Sequence, residues 1–288
     1  MTSDFIFFGT PYVARDTLAV LSDAGFTPKL VVTSPDAPQG RGLAFAPSPT
    51  KVLADTLGIN VLTPEKLDDA AISDIAAYGC DLAVVVAYGK ILPERLITAF
   101  PKGVLNIHYS LLPKYRGASP VEAALLNGDA KTGVTIQKMA YELDAGDIVA
   151  QEETDILPSE TTRELRMRLI TLGARLLVTV LPEYLAGTMP LIPQDASQAT
   201  HCGRIKKEEG ELSLADDPKK NWNKYRSFAE WPGTYFFTER NGKRIRVKIT
   251  KASRSPAGQF VIERVIPEGK REMAYADFTR GAAPKQKL

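Results

Sequence analysis

"DFIFFGTPYVARDTLAVLSDAG", residues Asp4 to Gly25, decides the fold class. The apolar run before Gly9 is short and unbroken, which predicts a strand buried on both faces. Thr10-Pro11 then opens an apolar-periodic stretch from Tyr12 to about Ala24, stopped by Gly25, which predicts a helix. Strand, tight turn and helix make one βα unit.

The same rhythm repeats outward along the chain. "KLVVT" (Lys29–Thr33), "INVL" (Ile59–Leu62), "DLAVVVA" (Asp81–Ala87) and "GVLNIH" (Gly103–His108) are further strand candidates. Helical stretches lie around Lys51–Leu57, Ala70–Tyr78 and Pro93–Thr98. Such alternation predicts an α/β protein with a Rossmann-like, mostly parallel sheet covered on both faces. "GVTIQKM" and "DIVAQEE" are later strands, and a helix is predicted from about Glu160 to Leu185 with Ser159 as its N-cap. The "FFGTP" turn lacks G-x-G-x-x-G, so no dinucleotide cofactor is expected.

Composition fits a soluble globular chain. Of 288 residues, 44% are hydrophobic and 24% charged, near the usual values, so a sizeable core is expected. The N-terminus carries no signal-peptide pattern, and the longest purely apolar run, Leu82–Ala87, is far below a membrane span. Two distant cysteines give neither a disulfide framework nor a metal site. A cytoplasmic monomer without metal or membrane is the expectation.

Charge divides the chain. Residues 1–200 hold 16 Lys and Arg against 23 Asp and Glu, a net of −7, while residues 201–288 hold 20 against 11, a net of +9. A basic C-terminal part predicts a polyanionic partner, with a solvated surface as the plainer reading. Residues 1–188 are read as one domain, the proline- and polar-rich stretch 189–203 as a linker, and 204–288 as a second domain. In the latter, Asn241-Gly242 is a hairpin signal. In "RIRVKI", alternation sets Arg244, Arg246 and Lys248 on one face and Ile245, Val247 and Ile249 on the other. An OB-like β-barrel with a basic nucleic-acid face is expected. Trp222, Tyr225, Phe228 and Trp231 are read as capping its core rather than stacking on bases.

Chemistry concentrates in "NIHYSLLPKYRGASP", Asn106 to Pro120. Asn106 and His108 are two apart on a strand end, so their side chains share one side. An amide donor and an imidazole suit an oxyanion and a proton near neutrality, although a strand-end histidine is also often a hydrogen-bonded structural residue. Asp144 in "LDAGD" offers a carboxylate near the sheet edge. No serine or cysteine nucleophile motif accompanies them, which favours direct transfer over a covalent enzyme intermediate.

"LNIHYSLLPKYRGASP" followed by "GVTIQKMAYELDAGDIV" resembles the signature of the formyltransferases that use 10-formyltetrahydrofolate. "FFGTPYVARDTL", "SPDAPQGRGLAFAPSPTKVLA", "AYGKILP" and "RSFAEWPGTYFF" extend the resemblance across almost the whole chain, toward the branch acting on methionyl initiator tRNA. The resemblance implies Asn106, His108 and Asp144 as the catalytic set. It implies Ser110, Leu111, Leu112 and Pro113, with Val86, Tyr88, Ile91 and Leu92, as the folate pocket. It further implies Arg41, in the loop Ser34–Pro49, and Lys206 and Lys207 as tRNA contacts, beside Arg244, Arg246 and Lys248. Tyr109 stands where the family commonly has a small residue and is expected to tighten the folate pocket. The alternatives are transfer to an amino-sugar nucleotide, formyltetrahydrofolate hydrolysis, or an RNA-binding protein on a retired formyltransferase fold.

Overall fold

The computed structural model describes residues 4–39, 44–240 and 242–280. The chain starts β1 (Phe5–Gly9), α1 (Tyr12–Asp23), β2 (Leu30–Val32), β3 (Ala37–Gln39), β4 (Ala44–Ala46), α2 (Pro49–Thr56) and β5 (Asn60–Leu62). It continues with α3 (Asp69–Ala76), β6 (Leu82–Val86), α4 (Glu94–Ile97), β7 (Val104–His108), β8 (Arg116–Gly117), α5 (Pro120–Asn127), β9 (Lys131–Lys138), β10 (Ile148–Asp155) and α6 (Thr162–Ala186). Last come β11 (His201–Cys202), α7 (Pro218–Ser227), β12 (Thr234–Arg240), β13 (Lys243–Arg254), β14 (Phe260–Pro267), β15 (Met273–Ala274) and α8 (Tyr275–Arg280).

Seven strands form the main sheet in the order β10-β9-β7-β6-β1-β2-β5. The pairs β1–β2, β1–β6, β2–β5 and β6–β7 are parallel, and β7–β9 is antiparallel. Every residue of β1, β2 and β6 is buried, as the unbroken apolar runs require of strands covered on both sides. Gly9 makes the first turn possible: a Cβ there would come within 2.4 Å of Ala14 Cβ, so only glycine lets α1 return this closely onto β1.

The chain forms two compact units whose boundary does not follow sequence order. One comprises residues 1–117, 133–154 and 167–201; the other comprises 118–132, 155–166 and 202–288. In the second unit α5 packs on α7, and Ser227 Oγ donates to Glu122 O at 2.9 Å. Arg166 is paired with Glu122 and Glu230. The stretch read as a linker is tied into the first unit: Ile148 and Ile192 exchange main-chain hydrogen bonds of 2.8 and 2.9 Å.

Helix α6 begins after Thr161 and not after Ser159. Leu165 N donates to Thr161 O at 3.0 Å, and the Glu164 carboxylate takes both the N–H and the hydroxyl of Thr161, each at 2.8 Å. The T-x-x-E spacing sets the start there, because Glu164 reaches back one turn to the N–H and hydroxyl of Thr161. This 25-residue helix is long and apolar enough to cross a membrane by composition, yet Leu165, Leu169, Ile170, Ala174, Leu177, Val180 and Leu181 are buried within the protein. It reads as a core helix.

The basic region is an antiparallel meander, β12-β13-β14-β15. Phe236, Val247, Ile249, Val265, Leu212 and Phe278 build its core. Trp222 and Phe228 are buried, and Trp222 stacks on Tyr225 at 5.7 Å. Trp231 is instead 52% exposed. Of the expected hairpin turn, Gly242 has φ +72° and Asn241 lies outside the described residues.

Candidate active site

Strand β7 delivers Asn106 and His108 to the carboxyl edge of the parallel strands, where open α/β sheets place their ligands. His108 is 5% exposed and Asn106 half-buried. His108 Nε2 faces Tyr115 O at 2.9 Å, so that nitrogen carries the proton. Nδ1 faces Asp144 Oδ2 at 3.6 Å. The sequence-predicted trio therefore shares one corner of the sheet.

Asp144 is held on both oxygens. Oδ2 accepts the Gly117 N–H and Oδ1 accepts Gln137 Nε2, each at 2.8 Å. Gln137 sits on β9 directly across from Asn106, and its Oε1 is buried without a partner among the described residues. An open, buried acceptor beside a carboxylate suits a ligand N–H or a water.

Backbone conformation marks the same corner. Among the described residues, three that are not glycine have positive φ: Ala87 (+46°) at the end of β6, Tyr115 (+61°) and Asp144 (+50°). Each left-handed residue costs on the order of 1–2 kcal/mol, and such strain persists where surrounding structure enforces it. Gly146 lets the turn after Asp144 pack this closely, since a Cβ there would meet Lys138 O at 1.9 Å.

The loop 110–113 is braced from below. Thr135 Oγ1 donates to Ser110 O at 2.7 Å and accepts Leu112 N–H at 3.1 Å; Gln151 Nε2 donates to Leu112 O at 2.7 Å. Ser110 Oγ is turned inward to Lys114 O at 2.6 Å. Ser110 and Leu112 are buried, while Leu111 and Pro113 are half-buried. Across the strand ends, the side chains of Val86, Tyr88 and Leu92 are buried and Ile91 is 88% exposed. Tyr88 packs edge-on against Phe8 at 5.5 Å. Its hydroxyl is buried without a partner among the described residues, and burial pushes its pKa up to about 12. Lys90 Nζ donates to Pro64 O and Glu65 O, and burial lowers its pKa.

Tyr109 does not enter this corner. It is out of phase with Asn106 and His108, and its ring lies against Gly173 of α6, 3.7 Å from where a Cβ would stand. The expected tightening of a pocket by Tyr109 is therefore corrected: the residue packs on the opposite face of the sheet.

Arg41 lies outside the described residues. Lys206 and Lys207 are exposed. On the C-terminal sheet the register pairs Tyr235 with Lys248, Phe237 with Arg246 and Glu239 with Arg244, so all six occupy one face. The Arg246 guanidinium lies 3.6 Å from the Tyr235 ring centroid and that of Arg244 3.9 Å from Phe237. Planar cations backed by rings are suited to phosphates and bases. Sequence reasoning found the cations and missed their aromatic backing, although Y-x-F alternation in "GTYFF" carries that signal. It also missed Gln137, Thr135 and Gln151. Among the described residues no His, Cys, Asp and Glu group is arranged to hold a metal.

A mostly parallel sheet whose carboxyl edge brings together an amide, an imidazole and a carboxylate is an arrangement suited to group transfer. The chain belongs to the formyl transferase family, whose profile matches residues 3–181, with the family's C-terminal domain matching residues 204–259. Among its relatives, the methionyl-tRNA formyltransferase of Bdellovibrio bacteriovorus is 37% identical over 97% of this chain and 96% of its own. That of Heliobacterium modesticaldum is 40% identical over 84% and 76%. The N-formyltransferase of Helicobacter canadensis, solved with folinic acid and dTDP-3-aminofucose, superposes with a TM-score of 0.65 over 88% of each chain. At 20% identity that likeness establishes the shared fold.

Proposed function

We propose that the protein transfers the formyl group of 10-formyltetrahydrofolate to the free α-amine of methionyl initiator tRNA. The observation that carries this is the His108–Asp144 pair beside Asn106, in a chain alike over 97% of its length to a methionyl-tRNA formyltransferase. The amine nitrogen attacks the formyl carbon, and the carbonyl π electrons move onto oxygen. Asn106 donates to that oxyanion, and His108 Nε2–H, already set toward an oxygen by Tyr115 O, exchanges this partner for it. The intermediate collapses with the carbon–N10 bond breaking, and the proton leaving the amine reaches N10. Asp144 faces Nδ1 and supports the positive charge of the ring when both of its nitrogens carry a proton.

The folate pterin binds at the ends of β6 and β7, held by Val86, Tyr88, Ile91 and Leu92 together with Ser110 to Pro113. The Tyr88 hydroxyl and Gln137 Oε1 offer polar partners that the protein itself leaves unused among the described residues. The unit that holds Asn106, His108 and Asp144 carries the chemistry, and the basic stretch 204–288 holds the tRNA through Lys206, Lys207, Arg244, Arg246 and Lys248, with Arg41 at its acceptor end. The protein works in the cytoplasm as a monomer, away from membranes.

The test is acceptor choice. With 10-formyltetrahydrofolate, the purified protein is expected to formylate methionyl initiator tRNA and to leave an amino-sugar nucleotide untouched. Transfer to the sugar, or release of formate whether or not charged tRNA is present, contradicts the proposal.

A further inference from the structure

Gln194 lies outside every motif above, yet four hydrogen bonds converge on its amide. Nε2 donates to the main-chain oxygens of Asp144 at 2.8 Å and Gly146 at 2.7 Å. Oε1 accepts Arg116 Nε at 3.0 Å and Nη2 at 2.9 Å. The assignment of oxygen and nitrogen follows from these partners: turned over, the amide would set its NH2 against a guanidinium and its oxygen against two carbonyls.

The two segments so joined flank His108. One carries Asp144, in the left-handed region at φ +50°. The other carries Tyr115, at φ +61°, whose carbonyl meets His108 Nε2, and then the buried Arg116. Gly117, next in line, gives its N–H to Asp144 Oδ2. Gln194 reaches this point from a stretch anchored by the Ile148–Ile192 pair, and the same stretch holds Tyr115 N–H through Thr200 Oγ1 at 2.8 Å. Main-chain carbonyls have no side-chain identity of their own, so a donor that gathers two of them in one turn sets where the turn's carboxylate stands.

We infer that Gln194 is a positioning residue for formyl transfer: it ties the Asp144 turn to the loop after His108 and thereby fixes the carboxylate against the imidazole. It touches no reacting atom. This inference rests on the formyl-transfer reading.

Gln194→Glu separates the two arms. It keeps an acceptor for Arg116 and replaces the donor to Asp144 O and Gly146 O by an oxygen, whereas Gln194→Leu removes both arms. In the full-length protein, Gln194→Glu is expected to lower kcat roughly ten- to a hundredfold, as a displacement on the ångström scale does. Both KM values should stay within about twofold, and Tm should shift little because the Arg116 contact survives. Amide hydrogen exchange at Gly117, which reports the Asp144 contact without needing any substrate, should quicken about tenfold or more. Gln194→Leu should match the kcat loss and also lower Tm. A purely structural role predicts the opposite pattern: kcat of Gln194→Glu within twofold of the parent, and Gly117 exchange unchanged. Either result overturns the inference. An inactive parent would instead strike the functional reading, while Gly117 exchange would still decide whether Gln194 places Asp144.

Discussion

Asp144 Oδ2 stands 3.6 Å from His108 Nδ1 while accepting the Gly117 N–H at 2.8 Å. The carboxylate is thus held by the loop that follows the histidine it faces. Asp144→Asn keeps the size and removes the charge, and we expect kcat to fall about 10²–10⁴-fold, the range for a proton-handling group. Folate affinity, measured by calorimetry, should change little. A variant with parental kcat would show the carboxylate to be structural.

Asn106 shares the His108 side of β7. Removing one oxyanion donor typically costs about 10²–10³ in kcat, and Asn106→Ala should lose that much with KM for both substrates nearly constant. A loss confined to KM would mean that Asn106 binds substrate without favouring the transition state.

The ring-backed cations on β13 make a salt prediction. Replacing Arg244, Arg246 and Lys248 together by Gln should weaken tRNA binding and flatten its dependence on log salt by close to one unit per lost phosphate contact. Turnover at saturating tRNA should be kept. An unchanged slope in a filter-binding titration would place the RNA elsewhere.

Glu164 gives a pH test of the α6 start. Hydrogen bonds from Thr161 lower its pKa, so its stabilisation is present above the unfolded value of about 4.3 and is lost as pH falls through the lower folded value. Glu164→Gln should cost about 0.5 kcal/mol at pH 7, the low end for a cap because the carboxylate is exposed. In urea unfolding the difference from the parent should shrink toward zero below about pH 4. A difference that grew on acidification would contradict the assignment.

The βα rhythm was legible because strands buried on both faces are unbroken apolar runs, as in β1 and β6, and because Gly25 stops α1. Strand direction was not: nothing in "GVTIQKM" says that β9 runs antiparallel to β7. The helices α5 and α7 also went unread, since their apolar faces are short and find their partners only in the tertiary fold, where α5 packs on α7 and α7 on the β13–β14 sheet. The convergence of Asn106, His108 and Asp144 on one corner of the sheet was legible from residue type, spacing and resemblance. Gln194 was not, because its partners are main-chain carbonyls and a guanidinium brought together by the tertiary fold. Tyr109 was misread although strand alternation sets it on the α6 side.

Single-turnover transfer of a labelled formyl group from 10-formyltetrahydrofolate to methionyl initiator tRNA, parent against His108→Ala, tests the central claim most directly. The parent should yield label in an amide on the methionine α-nitrogen, and His108→Ala should yield almost none while binding tRNA with parental affinity. Label transferred equally by both proteins, or released as formate by the parent, would contradict it.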